Sequence, residues 1–416
     1  MKINTKIQKL IDKGVKIEAP FSIELSDDVN LDRISGDGVV IHSGCRISGS
    51  NTLISKGTVL GQEGPVTIEN CFIGPDVQLK GGYFKQAVFL KETSAGLGAH
   101  VREGTILEEK ANIAHTVGLK QTILFPFVTL GSLINFCDCF MAGGTSRKNH
   151  SEVGSSYIHF NYTPNQDKAT ASLIGDVPNG VMLNNNPIFF GGQGGLVGPC
   201  MFNYGTIIAA GTIQRKDELE PDKLLFGGAM RGGRVKAPIG IYQNVKRLVV
   251  HNITYIGNLI ALLNWYKYVR SRFISDEFSI ELLEGLVITL NLAIDERIKR
   301  LKALNEKFSF SMYQMTKGGN GESALLQQKK EFIEKWYFVE EKMIEIRKSE
   351  TILCQKEADQ FLVMLDKTIQ EDGNNDYIKL IQNLENEVVI YGTEWLKEIV
   401  GFFSNEVFEI LPSFKS

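Results

Sequence analysis

Residues 101–119, VREGTILEEKANIAHTVGL, carry an apolar residue at every sixth position: Val101, Leu107, Ile113 and Leu119. Neither an α-helix nor a plain strand has this period, because their side chains repeat about every 3.6 and 2 residues. A period of six is typical of a triangular solenoid, in which each flat side is one hexapeptide whose apolar residue points inward. Three sides form one coil, and each coil buries its core only by stacking on the next.

The same interval recurs elsewhere in the first half of the chain. Three further runs follow it: Ile41, Ile47, Leu53 and Val59; Val128, Ile134 and Phe140; and Ile207 and Ile213. We expect these side chains to face the core as well. Residues 3–13 predict a helix with one apolar face, which would cap the open end of the solenoid and cover its exposed strand edge.

The composition changes near residue 240. Of the 41 glycines, 33 precede this point, as do 10 of the 11 prolines, whereas all three tryptophans follow it. Glycine and proline suit the tight corners of a solenoid. The second part predicts helices over residues 242–274 and 276–305, followed by a glycine loop and a longer helix. One stripe of that last helix carries large apolar residues: Leu325, Phe332, Trp336, Val339, Met343, Ile346 and Leu353. This stripe is either core or a seam for a partner chain.

The overall composition is that of a soluble protein with more than one domain. The net charge of −3 gives no basis for nucleic-acid binding. The most apolar stretch, residues 248–266, is interrupted by one histidine and three asparagines, which favours a buried helix over a membrane span. The N-terminus lacks an apolar signal core, and six cysteines are too few for a disulfide scaffold, so we expect a cytoplasmic protein. Cys137 and Cys139 have no second ligand pair nearby, and no metal site is predicted.

Three segments resemble the left-handed β-helix acyltransferases. These are residues 190–212, which end in Ile207-Ile208-Ala209-Ala210-Gly211-Thr212; residues 153–162, which end in Asn161-Tyr162; and the run from Lys168 to Ile174-Gly175-Asp176. The resemblance is strongest to the acetyltransferase domain of the bifunctional N-acetylglucosamine-1-phosphate uridyltransferases. It covers residues 100–215 and does not extend to the helical half. Residues 1–35 lack the glycine-rich signature of the uridyltransferase half.

The resemblance implies a homotrimer of prisms that binds acetyl-CoA in the groove between two copies, with a sugar or nucleotide-sugar substrate beside it. It places Ala209, Ala210 and Gly211 on the cofactor side, because small residues let a cofactor arm approach the backbone. On the substrate side it places Asn161, Tyr162 and Lys168. It also implies a histidine that removes a proton from the acceptor, a task that suits the pKa of imidazole.

The position of this base is open. Matching Val153-Gly154 to the family without gaps places Asp138, not a histidine, at the base position. Residues 143–152, GGTSRKNHSE, break the six-residue period, which predicts a loop that brings His150 close to Arg147 and Lys148. Two cations beside an imidazole suit a phosphorylated substrate. His159 is a further candidate, since an outward-facing histidine beside a subunit groove is where this family carries out its chemistry. His115 is another, with a corner or surface role as its alternative. The alternative for His150 is a solvated surface residue.

A basic, glycine-rich segment follows the last coil. Arg231 and Arg234 lie in it, and in the resembled enzymes a basic tail near the end of the prism contacts the cofactor, so we assign both arginines to the coenzyme A phosphates, with a simple linker as the alternative.

These observations predict a mainly β protein with a helical addition: a capping helix in residues 1–20, a left-handed parallel β-helix in 21–240 and an α-helical domain in 241–416. The predicted activity is the transfer of an acyl group from acyl-CoA to an amino or hydroxyl group of a sugar phosphate or nucleotide sugar. The acyl group expected first is acetyl. The alternative is a non-catalytic sugar-nucleotide-binding or scaffold protein that keeps the fold. No membrane partner is expected.

Overall fold

The first half of the chain forms a parallel β-solenoid of about eleven turns, and the second half is helical. The computed structural model describes residues 4–160, 168–227, 233–234, 240–317, 323–373 and 376–415. The predicted hexapeptide solenoid followed by a helical region is therefore confirmed.

The solenoid strands are short, as expected for three flat sides per coil. In chain order they are β1 (Lys16–Ile17), β2 (Glu24–Leu25), β3 (Val40–Ile41), β4 (Arg46–Ser48), β5 (Leu53–Ile54), β6 (Val59–Leu60), β7 (Val66–Glu69), β8 (Phe72–Ile73), β9 (Gln78–Leu79), β10 (Gly82–Lys85), β11 (Ala87–Phe89), β12 (Ser94–Ala95), β13 (Ala99–Val101), β14 (Thr105–Leu107), β15 (Asn112–Ile113), β16 (Gly118–Leu124), β17 (Thr129–Leu130), β18 (Asn135–Met141), β19 (Gly144–Ser146), β20 (Asn149–His150), β21 (Glu152–Val153), β22 (Ile158–Phe160), β23 (Ser172–Ile174), β24 (Phe189–Phe190), β25 (Gly195–Val197), β26 (Met201–Phe202), β27 (Ile207–Ile208), β28 (Ile213–Gln214) and β29 (Leu224–Leu225).

The strands stack in parallel on three faces. Face A is β1-β3-β6-β9-β12-β15-β17-β21-β24-β27-β29. Face B runs through β2, β4, β7, β10, β13, the first halves of β16 and β18, β22, β25 and β28. Face C runs through β5, β8, β11, β14, the second halves of β16 and β18, β23 and β26. The long strands β16 and β18 turn the corner between faces B and C without a break.

The six-residue period identifies most of the core. Val101, Leu107, Ile113 and Leu119 are all buried, as are Val128, Ile134, Phe140, Ile41, Ile47 and Leu53. The prediction is wrong for the remaining three residues. Val59 is only half-buried, and Ile207 and Ile213 are 44% and 45% exposed. At two of these places the next residue, Leu60 or Ile208, faces inward instead. Adjacent apolar residues on a strand point to opposite sides, and spacing alone does not tell which one enters the core.

Helices cover one end and one side of the solenoid. They are α1 (Thr5–Asp12), α2 (Val177–Gly180), α3 (Val245–Tyr268), α4 (Ile280–Lys317), α5 (Ala324–Arg347), α6 (Gln355–Asp372), α7 (Tyr377–Gln382) and α8 (Asn386–Ile410), with 3₁₀ turns at Pro20–Ser22, Leu31–Arg33, Arg270–Phe273 and Pro412–Phe414. Asn4 caps α1 by accepting a hydrogen bond from the Lys6 amide, and Ile7 and Leu10 are buried beneath it.

The helical region packs on face C. Helix α4 lies against β8, β11 and β14, and α3 lies against β23 and is itself enclosed by α4 and α8. The segment Val245–Phe273 is long and apolar enough to cross a membrane, but 83% of its most apolar window is buried in the protein, which agrees with the predicted core helix.

The apolar stripe of α5 belongs to the core. Phe332, Trp336, Val339, Met343 and Ile346 are buried against neighbouring helices. Leu353 lies beyond the end of α5, so the predicted helix is too long at that end. The seam for a partner chain has no support in this arrangement, because these side chains are already covered.

Candidate functional site

The predicted site residues lie at three different corners of the prism. The hairpin β19–β20, with Arg147, Lys148 and His150, joins face C to face A. Ala209-Ala210-Gly211 forms the corner from face A to face B. Lys168, which is exposed, lies between β22 of face B and β23 of face C. Within one chain, therefore, the solenoid does not bring the three sets together.

The hairpin is held tightly against the coil. Its first strand starts after Gly143 and at Gly144, with φ values of 102° and 95° that favour glycine. The Arg147 Nη1 atom donates to the carbonyls of Lys110 and Phe127, at 3.0 Å each, and to the Thr129 hydroxyl at 2.9 Å. These bonds anchor Arg147 to the preceding coil and leave Lys148 exposed at the tip.

His150 is the candidate base closest to the surface. Its side chain is 19% exposed, and its Nε2 lies 3.6 Å from a carboxylate oxygen of Glu152. The Nδ1 atom is shielded from solvent and has no hydrogen-bond partner among the described residues. An unpaired buried nitrogen is uncommon in folded proteins and is a frequent feature of functional sites.

His159 points into the solenoid rather than outward. It occupies the same register position as the core residue Leu196 in the next coil, and its Nε2 lies 2.9 Å from the Ser172 hydroxyl. Burial, assisted by the charge of Arg297, lowers the pKa of His159 to about 4, so the ring is neutral at pH 7. The expected outward position beside a groove is not met.

Asp138 lies under the helical region. Its Oδ1 accepts a hydrogen bond of 2.5 Å from Arg297 of α4, and the two side chains are only 16% and 2% exposed. Burial raises the pKa of Asp138, while Arg297 and Arg300 oppose that rise. The carboxylate that the gap-free match predicts at the base position is thus paired and covered.

The corner predicted to face the cofactor has an open backbone. Ala210 and Gly211 are exposed, and a Cβ atom on Gly211 would meet nothing within 4 Å. On the preceding coil, a Cβ on Gly191 would lie 2.3 Å from the Ala210 amide nitrogen, so small residues are required where these corners stack. Arg234 is exposed, whereas Arg231, Asn161 and Tyr162 lie outside the described residues. No group of three metal-ligating side chains occurs in the described part of the chain.

The contacts between solenoid and helices could not be read from the sequence. Arg270 follows α3, is fully buried, pairs with Glu109 and stacks on the Tyr377 ring, while Tyr266 donates to Glu108 at 2.5 Å. Farther along the solenoid, Asp217 bonds to Arg247 and His251 of α3. These partners are 30 to 161 residues apart in sequence, with no local spacing that links them.

Comparison with known proteins supports the resemblance. No family profile matches the chain. Among curated proteins it is similar to the bifunctional protein GlmU of Thermotoga sp. strain RQ2, with 26% identity over 227 residues, which is 54% of this chain and 45% of that protein. It is also similar to the bifunctional protein GlmU of Trichlorobacter lovleyi, with 28% identity over 217 residues, or 52% of this chain and 42% of that protein. The chain thus spans less than half the length of the curated relatives it matches.

Proposed function

We infer from this similarity and from the parallel β-solenoid that the chain belongs to a hexapeptide-repeat acetyltransferase-like family. We propose that it transfers an acetyl group from acetyl-CoA to an amino or hydroxyl group of a sugar phosphate or nucleotide sugar. The observation that carries this proposal is the pairing of His150, on a hairpin inserted between two faces of the prism, with Glu152 at the start of β21.

His150 is proposed as the general base. With its Nε2–H directed at Glu152, its Nδ1 keeps a lone pair and can take the proton of an acceptor amine as that nitrogen attacks the thioester carbonyl. The new C–N bond forms as the C–S bond breaks, and the departing sulfur takes the proton back from the imidazole. Because Nδ1 is shielded in this conformation, a local rearrangement has to expose it when substrate binds.

We propose that the complete site forms between copies of the chain, as a homotrimer. The candidate residues lie at separate corners, and the helices cover face C, so a neighbouring copy has faces A and B open to it. In such a trimer we expect the hairpin of one prism to lie near the open corner of another. Light scattering after size-exclusion chromatography tests the trimer directly.

We also propose the cytoplasm as its compartment. The six cysteines are all unpaired, which suits a reducing environment, and acetyl-CoA is an intracellular metabolite.

Thiol release tests the activity. Purified protein is mixed with acetyl-CoA and either glucosamine 1-phosphate or glucosamine 6-phosphate, and free coenzyme A is followed. His150→Asn is expected to lower kcat by about 10²–10⁴-fold with the KM for acetyl-CoA unchanged. His42→Asn is the matched control, because His42 forms a similar pair with Glu18 far from the hairpin, and it should retain wild-type rates. Equal rates for both variants would exclude His150 as the base.

The covered carboxylate of Asp138 favours a second candidate, a sugar-nucleotide-binding protein that keeps the fold and has lost the catalytic base. Wild-type protein that binds UDP-N-acetylglucosamine in calorimetry, yet releases no thiol with any acceptor, would support this candidate over the enzyme.

A further inference from the structure

We propose that face B carries a nucleotide-binding site in the gap above Gly118, with the base stacked on His100 and the phosphate bound by Arg102. This site is separate from the hairpin and from the open corner described above. Its expected ligands are nucleotide parts of the substrates of the proposed transfer, so the inference rests on the proposed function and names a binding site that this function leaves unassigned.

The site lies where one residue in a row of outward-facing residues has no side chain. Tyr83, His100, Gly118, Asn135 and Ile158 stand in register on successive strands of face B. The rings of Tyr83 and His100 are stacked, with centroids 5.0 Å apart and planes 25° from parallel. The next position, at Gly118, has no side chain, so the stack stops there and leaves a cavity of about 450 Å³.

The backbone does not require glycine at position 118. A Cβ atom there would lie 3.8 Å from the Asn135 Oδ1 atom and 3.9 Å from the Ile134 carbonyl, which are ordinary contacts, and its φ is not left-handed. Gly82 on the same face is different, because its φ is 139° and a Cβ would lie 2.1 Å from the Ala99 carbonyl. Strands favour side chains with β-branches, so a glycine that the backbone does not need serves to keep the gap open.

The dimensions of the gap suit one planar ring. Adjacent strands lie about 4.8 Å apart, so a ring above Gly118 continues the Tyr83–His100 stack at nearly its own spacing. Leu133 and Ile158 supply apolar walls, and both are substantially exposed at present. The Asn135 amide closes the other side of the gap, where it can bond to polar atoms at the edge of a base.

Arg102 supplies an uncommitted positive charge at the end of the gap. It lines the cavity and is exposed, and it makes no ion pair within the described part of the chain. The neighbouring cations are already paired: Lys85 with Glu69 at 2.8 Å and Lys120 with Glu103 at 2.6 Å. A guanidinium group left unpaired beside an aromatic shelf suits a phosphate that follows a stacked base.

The chemistry shared by the expected ligands is a heteroaromatic base carrying a phosphate. It could come from coenzyme A, through its adenosine 3′,5′-bisphosphate end, or from a nucleotide sugar. Isothermal calorimetry of the full chain distinguishes the two sources, with 3′,5′-ADP and coenzyme A in one arm and UMP and UDP-N-acetylglucosamine in the other. Uridine and adenosine report the contribution of the phosphate.

The decisive variant is Gly118→Val, which fills the gap without straining the backbone. It is expected to weaken binding of whichever nucleotide set the wild type binds by about tenfold or more. Stacking of a base on an aromatic ring contributes a binding free energy of that size. Arg102→Gln should weaken the nucleotide and leave the nucleoside unchanged, whereas Lys216→Gln, an exposed cation elsewhere on the solenoid, should change neither.

The inference is overturned if neither arm binds, or if Gly118→Val binds as wild type while its circular dichroism and melting temperature are unchanged. Thiol release on the same variants keeps the two proposals apart. If the enzyme is active and Gly118→Val leaves its nucleotide affinity unchanged, this inference is overturned and the proposed function is not. Binding that Gly118→Val abolishes, in a protein without transfer activity, supports this inference and contradicts the proposed function.

Discussion

Asp138 of the solenoid and Arg297 of α4 form a buried ion pair, with 2.5 Å between Oδ1 and Nη2, that ties face C to the helical region. Arg297→Met leaves the Asp138 carboxylate buried and unpaired, and we expect it to lower the free energy of unfolding by about 3–5 kcal/mol. Urea denaturation followed by circular dichroism measures this loss.

The double variant Asp138→Asn/Arg297→Met removes both charges, and it should recover part of the loss. The control is Arg46→Met, which breaks the exposed pair with Glu24, and its effect should stay within about 1 kcal/mol. An Arg297→Met protein as stable as this control contradicts the importance of the pair.

The interface around Asp217 predicts a loss of stability in acid. Burial disfavours its charge, but hydrogen bonds and charges from His251 and Arg247 outweigh that effect and lower the pKa of Asp217 to about 2. A carboxyl pKa that is lower in the folded state stabilises the fold above the unfolded value, near 3.8, and the benefit disappears as the pH falls towards 2. Asp217→Asn should therefore be less stable than wild type at pH 6, by roughly 2 kcal/mol, and the difference should shrink below pH 4. Thermal melts over this range test it, and a constant difference would contradict the assignment.

His159 should titrate well below neutrality. Its ring is buried, and charging it requires desolvation beside the cation Arg297, which lowers its pKa to about 4. The unfolded chain binds a proton near pH 6.5, so the stability due to His159 is present above that value and declines as the pH falls towards 4. NMR titration of the histidine ring protons, assigned with His159→Gln, measures the pKa. A value between 6 and 7 would contradict the inward placement and restore His159 as a candidate base.

Helix α4 packs closely on face C at Gly285. A Cβ atom there would lie 2.4 Å from the Phe72 ring, and Phe72 is buried, so Gly285→Ala should cost roughly 1–3 kcal/mol through displaced packing. Gly401 in α8 is the matched control, because a Cβ there meets nothing within 4 Å, and Gly401→Ala should stabilise the helix by about 0.5–1 kcal/mol. Melting temperatures that move in the same direction for both variants would show that Gly285 is not a close contact.

The sequence predicted the solenoid because one hexapeptide sets one side of the prism, and this local rule recurs coil after coil. It failed where two apolar residues are adjacent, as at Ile207 and Ile208, since the period does not say which one faces the core. The sequence also did not show that His159 occupies a core position, where burial lowers its pKa and keeps the ring neutral. The pairing of Asp138 with Arg297 joins residues 159 apart, so nothing in the local pattern reveals that the expected base position is covered.

The helices that cover face C also determine which coils of the solenoid unfold locally first. Helix contacts concentrate on strands from β8 to β23, whereas strands β1 to β4 have no comparable contact with a helix among the described residues. Coils stacked in one dimension lose structure from an unsupported end. Backbone amides of the first coils will therefore exchange with deuterium earliest, and those beneath α4 will exchange together, as one cooperative unit with the helices.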